Sequence, residues 1–101
     1  MKLLIITAIA EFEKPVSQML KQAQIEAFSS SDIEGHKNIN SMVNAQNWYS
    51  SGNISDDSLM IFSFTGQEQI DEFMSAARAF NEEQKTQNRI RAVVLPIEQH
   101  L

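Results

Sequence analysis

Two runs of the chain are apolar almost throughout, instead of at every second position: Leu3-Leu4-Ile5-Ile6-Thr7-Ala8-Ile9-Ala10 and Leu59-Met60-Ile61-Phe62-Ser63-Phe64. Each is too short for a stable isolated helix and rich in Ile or Phe, which predicts strands buried on both faces. After the first run, Glu11-Phe12-Glu13-Lys14-Pro15 places acids at the positive end of a helix dipole and Pro15 in a first turn, where a missing N–H is harmless. Val16, Met19, Leu20 and Ala23 then recur at helical spacing, giving one apolar stripe that ends near Gln24. From Ile25 to Glu34 the pattern alternates but is half polar: Phe28, Ser30 and Asp32 fall on one face, and Ala27, Ser29, Ser31 and Ile33 on the other. Such a strand suits the edge of a sheet.

A second helix is written more clearly, with Ile70, Phe73, Met74, Ala77 and Phe80 holding the i, i+3, i+4, i+7 rhythm to about Glu83. Thr65, with Glu68 three residues on, is its expected capping box. Lys85-Thr86-Gln87-Asn88 then makes a polar turn, residues 90–95 form a fourth strand, and Pro96 ends its ladder.

The element order is strand, helix, strand, long loop, strand, helix, strand. It predicts an α+β, ferredoxin-like βαββαβ fold over a single domain, residues 1–101. Right-handed crossovers place both helices on one face of the sheet. The other face is then left with apolar side chains from the first, third and fourth strands, although a sheet with one wet face should alternate cleanly. Exposed apolar patches of that size mark interfaces, so a homo-oligomer with packed sheet faces is expected.

The loop at 35–57, between strands 2 and 3, is the least scaffold-like part of the chain. It is rich in Asn and Ser, yet carries the only Trp and the only Tyr side by side, Trp48-Tyr49. Connections longer than about 12–15 residues usually have a task or are disordered. Ile39, Met42, Val43 and Ile54 also argue against permanent disorder. Two large amphipathic rings at a polar loop fit an anchor for a partner protein; the plainer alternative is that they fold back on the domain.

Composition narrows the chemistry. The chain of 101 residues has no Cys, which removes disulfide and thiolate chemistry and suits a cytoplasmic location. A net charge of −5 with scattered Lys and Arg argues against unaided nucleic-acid binding. The opening run is too short for a membrane span, and it is expected to be a strand of the fold instead of a secretion signal. There is no nucleophile elbow and no Ser/His/Asp grouping, so no catalytic residue is assigned and an enzyme is not expected. Gly35, Gly52 and Gly66 give no phosphate-binding fingerprint. Lys37, Arg89 and Arg91 could still hold a nucleotide across a subunit cleft, against the simpler reading of surface cations. Asp32, Glu34 and His36 alternate at the root of the loop and could form an oxygen/nitrogen metal site, with His100 of a neighbour completing it. Wet strand ends carry such residues by chance as well.

Over nearly its full length the chain resembles the P-II-type nitrogen-regulatory signalling proteins and their P-II-like relatives. The resemblance rests on the opening strand and helix, on Ala27-Phe28-Ser29-Ser30-Ser31-Asp32-Ile33-Glu34-Gly35 leading into the loop, and on the strand-helix-strand finish. It implies a homotrimer whose long loop, the T-loop, grips a target such as a membrane transporter. It also implies small ligands, usually adenine nucleotides, in the clefts between subunits. Gly35 falls at the base of that loop, Lys37 in the loop-base segment, and Arg89 where a phosphate-contacting Lys precedes the fourth strand. The family's Gly-rich turn is here Gln84-Lys85-Thr86-Gln87-Asn88, without glycine, and its basic C-terminal segment is Ile97-Glu98-Gln99-His100. The residues therefore leave the cofactor open. The Asn-Trp-aromatic loop is similar to the subgroup encoded near heavy-metal efflux pumps. The expectation is a non-catalytic regulator with Gly35, His36, Lys37 and Arg89 lining a ligand cleft and Trp48 and Tyr49 holding the partner. The alternative is a divalent-metal-binding protein of the cation-tolerance type, which shares this fold, using Asp32, Glu34 and His36.

Overall fold

The computed structural model describes residues 1–34 and 57–101. In chain order these form β1 (Lys2–Ile9), a short 3₁₀ turn (Ala10–Phe12), α1 (Glu13–Gln22), β2 (Ser29–Glu34), β3 (Asp57–Thr65), α2 (Gln67–Glu83) and β4 (Arg91–Pro96). The four strands make one sheet in the order β2-β3-β1-β4, and every neighbouring pair is antiparallel. The α+β, ferredoxin-like plan expected from the element order is the one observed. Each strand–helix–strand unit is split by a strand of the other, so the apolar β1 and β3 occupy the centre and the polar β2 lies at an edge.

The registers divide the sheet into two faces. Leu4 pairs with Ser63 and Val94, Ile6 with Ile61 and Ala92, and Ala8 with Leu59, which places all of them on one side. That side meets Val16, Met19 and Leu20 of α1 and Ile70, Phe73 and Ala77 of α2 in one buried cluster. On the other side stand Leu3, Ile5, Phe62, Phe64, Val93 and Leu95 in adjacent rows. Of these Phe64 is 54% exposed, Leu95 42% and Val93 38%, so the second apolar face foreseen in the pattern is present and faces solvent in the single chain. The rings of Phe62 and Phe64 meet edge to face with centroids 6.4 Å apart.

Several boundaries differ from the sequence reading; β3, for one, begins at Asp57, inside the stretch read as loop. The helix α1 stops at Gln22 and the second strand begins at Ser29, four residues later than Ile25. A Schellman motif is the reason: the Ile25 N–H donates to the Leu20 carbonyl at 2.8 Å and the Gln24 N–H to that of Lys21 at 3.0 Å. Gln24 takes the left-handed conformation, φ 63°, that glycine usually supplies. Ile25, which looks like a strand residue, instead packs in the core. Buried Ser63 then pins the connection by donating to the Ala27 carbonyl at 2.6 Å.

The Thr65–Glu68 capping box does not form. Thr65 is still paired with Lys2 in the ladder, so the N-cap falls on Gly66, with no side-chain cap bond there. Gln69 folds back over Gly66, its Oε1 2.8 Å from where a Cβ would stand, and Gly66 accommodates it without adjustment. Finally, β4 starts at Arg91, because Ile90 is held to the end of α2, as described next.

Candidate functional site

One end of the sheet gathers most of the polar features. Glu34 pairs with Asp57, Ile9 with Ser58 and Thr7 with Arg91, so β2 leaves, β3 enters and β4 begins at the same end. Residues 35–56 therefore join the sheet at the end where the 84–90 turn delivers Arg89 and Arg91. The 3₁₀ turn is fastened there too, with Phe12 edge-on to Phe80 of α2 at 5.0 Å.

The turn before β4 is built from side chains. Asn81, in the last turn of α2, brackets Ile90: its Nδ2 donates to the Ile90 carbonyl at 3.0 Å, and the Ile90 N–H donates to its Oδ1 at 2.8 Å. The Asn88 N–H donates to Thr86 Oγ1 at 3.3 Å. Arg89 Nη1 donates to the carbonyls of Thr86 and of Asn88, the latter at 2.9 Å. These bonds shape a glycine-free turn and fix where Arg89 and Arg91 stand. Asn81→Ala removes both bonds to a part-buried backbone unit and is expected to cost about 1–3 kcal/mol, read as a lower denaturation midpoint in urea.

Arg91 lies on the open side of the sheet, opposite Thr7, which is buried. Its Nε is buried and meets no hydrogen-bond partner among the described residues. Burial first, and then the neighbouring Arg89 charge, hold the Arg91 guanidinium below its ordinary pKa. An arginine stays protonated through shifts of ordinary size, so the result is two adjacent cations, one with an unsatisfied donor. This is chemistry for an anion: planar guanidinium forks match carboxylate and phosphate oxygens.

Of the residues singled out in the sequence, Arg89 stands in this turn. Asp32 and Glu34 lie on exposed β2, on the helix-covered side of the sheet. Gly35, His36, Lys37, Trp48 and Tyr49 lie outside the described residues. Among the described residues no group of three or more His, Asp or Glu side chains is arranged to hold a metal ion. Arg89 and the loop root are on opposite edges of the sheet, three strand spacings or about 14 Å apart.

Asn81 escaped the sequence reading because nothing local distinguishes it from any polar residue at a helix end. Arg91 was among the cations read from the sequence as possible nucleotide contacts, with Lys37 and Arg89, but its buried Nε belongs to the tertiary structure. A groove of about 200 Å³ between α1 and β2 is lined by Glu13, Ser17, Phe28, Ser30 and Asp32 over Leu59 and Ile61. Its lining holds carboxylates and hydroxyls and no cation, so it is not the anion site.

No protein-family model matches the sequence, and a search of curated proteins returns no match. Solved structures do match. CPII from Thiomonas intermedia K12, a nitrogen regulatory PII-like protein bound to ADP, AMP and bicarbonate, superposes with a TM-score of 0.63 at 12% identity, over 99% of this chain and 94% of that one. The same protein bound to ADP, AMP and acetate gives 0.63 at 14% identity over 95% and 88%. A PII-like chain from Thermus thermophilus gives 0.56 at 15% identity over 92% and 82%. The helix-backed sheet, with its long connection rooted at the same end as an arginine-bearing turn, has the fold of the PII-like nitrogen regulatory proteins.

Proposed function

We propose that this is a non-catalytic PII-like regulatory protein: a cyclic homo-oligomer, three-fold by resemblance, that binds a phosphate-bearing ligand between copies and a target protein through the 35–57 loop. The observation that carries the reading is the placement of Arg89 and Arg91. They sit at the loop end of the sheet, on the edge opposite the loop root. In a three-fold ring with the open sheet faces turned inward, unlike patches of neighbouring copies meet, so the β4 side of one chain would stand near the β2 side of the next. Arginines and loop root would then line one cleft.

CPII holds ADP, AMP and bicarbonate, and the arginine pair suits the same kind of anion. Lys37, at the loop base, adds a third cation to such a cleft, with Gly35 and His36 beside it. The turn lacks glycine, so its backbone approaches a phosphate less closely, and the guanidinium groups take up that contact. Trp48 and Tyr49 serve as the anchor for the target. No described helix is long and apolar enough to cross a membrane, so a membrane transporter would be met as a partner.

Trp48 is the only tryptophan and lies in the loop, so its fluorescence reports on the loop directly. Titration with ADP is expected to change that fluorescence saturably and to release heat in calorimetry. Arg91→Ala is expected to weaken ADP binding about tenfold or more, in keeping with loss of a charge-assisted contact. Heat without a fluorescence change would separate the ligand from the loop, and ADP affinity unaltered in Arg91→Ala would remove the arginines from the site.

A further inference from the structure

The groove between α1 and β2 lies on the helix side of the sheet, on the face away from Arg91, and takes no part in the anion cleft. Its floor is Leu59 and Ile61, the β3 residues paired with Asp32 and Ser30 of β2. α1 turns its buried residues Val16, Met19 and Leu20 into the core, while residues 29–32 of β2 stay exposed, so the helix stops short of the edge strand. Ser17 of α1 and Ser30 of β2 are too small to bridge the gap, and about 200 Å³ stays open. Phe28, 40% exposed, also lines this space. Glu13 in the first turn of α1 and Asp32 on β2 supply two carboxylates from separate elements, and among the described residues no cation lines the groove.

We infer that this groove is a second ligand site, and that it takes a small alkylammonium ion. Small-molecule sites are concave and mainly apolar, with a few polar groups that fix orientation, and the groove has that make-up. The alkyl part of such a ligand lies on Leu59 and Ile61, its ammonium faces Glu13 and Asp32, and its N–H groups find the hydroxyls of Ser17 and Ser30. The exposed ring of Phe28 adds the attraction of an aromatic face for a cation. A bare divalent ion is a poorer match. Calcium takes about six to eight oxygen ligands, whereas here two carboxylates stand over hydrocarbon. Among the described residues no group of three or more His, Asp or Glu is arranged for a metal. Because the groove and the arginines are on opposite faces, one chain can hold an ammonium ligand and an anion at the same time.

The probe is n-butylammonium chloride, titrated into the full chain at constant ionic strength and followed by two-dimensional amide NMR. Parallel titrations use n-butanol, which has the chain without the charge, and ammonium chloride, which has the charge without the chain. Saturable shifts are expected at Ser17 and along residues 28–32, with both analogues binding more weakly. Glu13→Gln/Asp32→Asn is expected to weaken n-butylammonium roughly five- to tenfold, as for the loss of two exposed ion pairs. Ser30→Leu fills the groove from an exposed position and leaves both carboxylates, and it is expected to abolish binding. Glu72→Gln neutralises an exposed carboxylate of α2 outside the groove and is expected to match wild type. No shift with n-butylammonium, equal affinity for n-butanol, or undiminished binding in Ser30→Leu overturns the inference. Tighter binding of calcium chloride at the same amides makes the groove an inorganic cation site and overturns it too. None of these outcomes bears on ADP binding or on assembly.

Discussion

Under the proposed assembly through open sheet faces, Val93→Asp is expected to leave single chains of 11.5 kDa, read by light scattering coupled to size exclusion at micromolar concentration. Val93 sits in the middle of the open face, in the row that continues through Ile5 to Phe62, with Leu3, Leu95 and Phe64 in the row beside it. It is 38% exposed in the single chain, so a carboxylate there keeps its water and the fold survives. In an oligomer with sheet faces packed together the same carboxylate is stripped of water among Leu, Ile and Phe. Burying an unpaired charge costs several kcal/mol, which corresponds to at least a hundredfold loss of association. Far-UV circular dichroism is expected to remain that of wild type. A variant with the wild-type oligomer mass would show that the open face is not the contact, and a wild type that is already a single chain would remove the case for assembly.

The largest effect on the fold itself is expected from Phe73→Ala. Phe73 is fully buried on α2, in the cluster that holds Leu4, Ile6, Leu20 and Ile61. Truncating a buried Phe costs about 3–5 kcal/mol, against a total of about 5–15 kcal/mol for a small domain. For about 100 residues this lowers the melting temperature by on the order of 15–30 °C, measurable by calorimetry. Phe64→Ala provides the contrast. Phe64 is 54% exposed on the other face, so its loss is expected to spare the single chain and to weaken the assembly. The two aromatics thus separate what holds one chain together from what holds several. Equal melting losses for both would mean that the two faces are not independent.

The parts of the fold legible in the chain are those where the pattern is local and repeated. β1 and β3 are apolar at nearly every position because they are central and covered on one side by helices, while the other side keeps Leu3, Ile5, Phe62 and Phe64. In α2, Ile70, Phe73 and Ala77 are the buried residues that the spacing picks out, with Met74 and Phe80 packed at the margin. The limits of β2 were not legible. A left-handed Gln24 carries no glycine signature, so the helix end was hidden and Ile25 passed for a strand residue. Thr65 and Glu68 make a plausible cap on paper, but ladder pairing with Lys2 holds Thr65 in the strand and moves the cap to Gly66.

The candidate site was half legible. Arg89 and Arg91 both stood out as cations before and at the start of the last strand; the buried Nε of Arg91 and the bonds of Asn81 to Ile90 belong to the tertiary structure. The sequence by itself determined the element order, the helix-facing core and the unusual second apolar face, because each is a periodicity of neighbouring residues weighed against water. Tertiary structure alone decided that the arginines and the loop root share one end of the sheet but lie on opposite edges. Strand order and register are set by pairings between residues far apart in the chain, which no local pattern encodes.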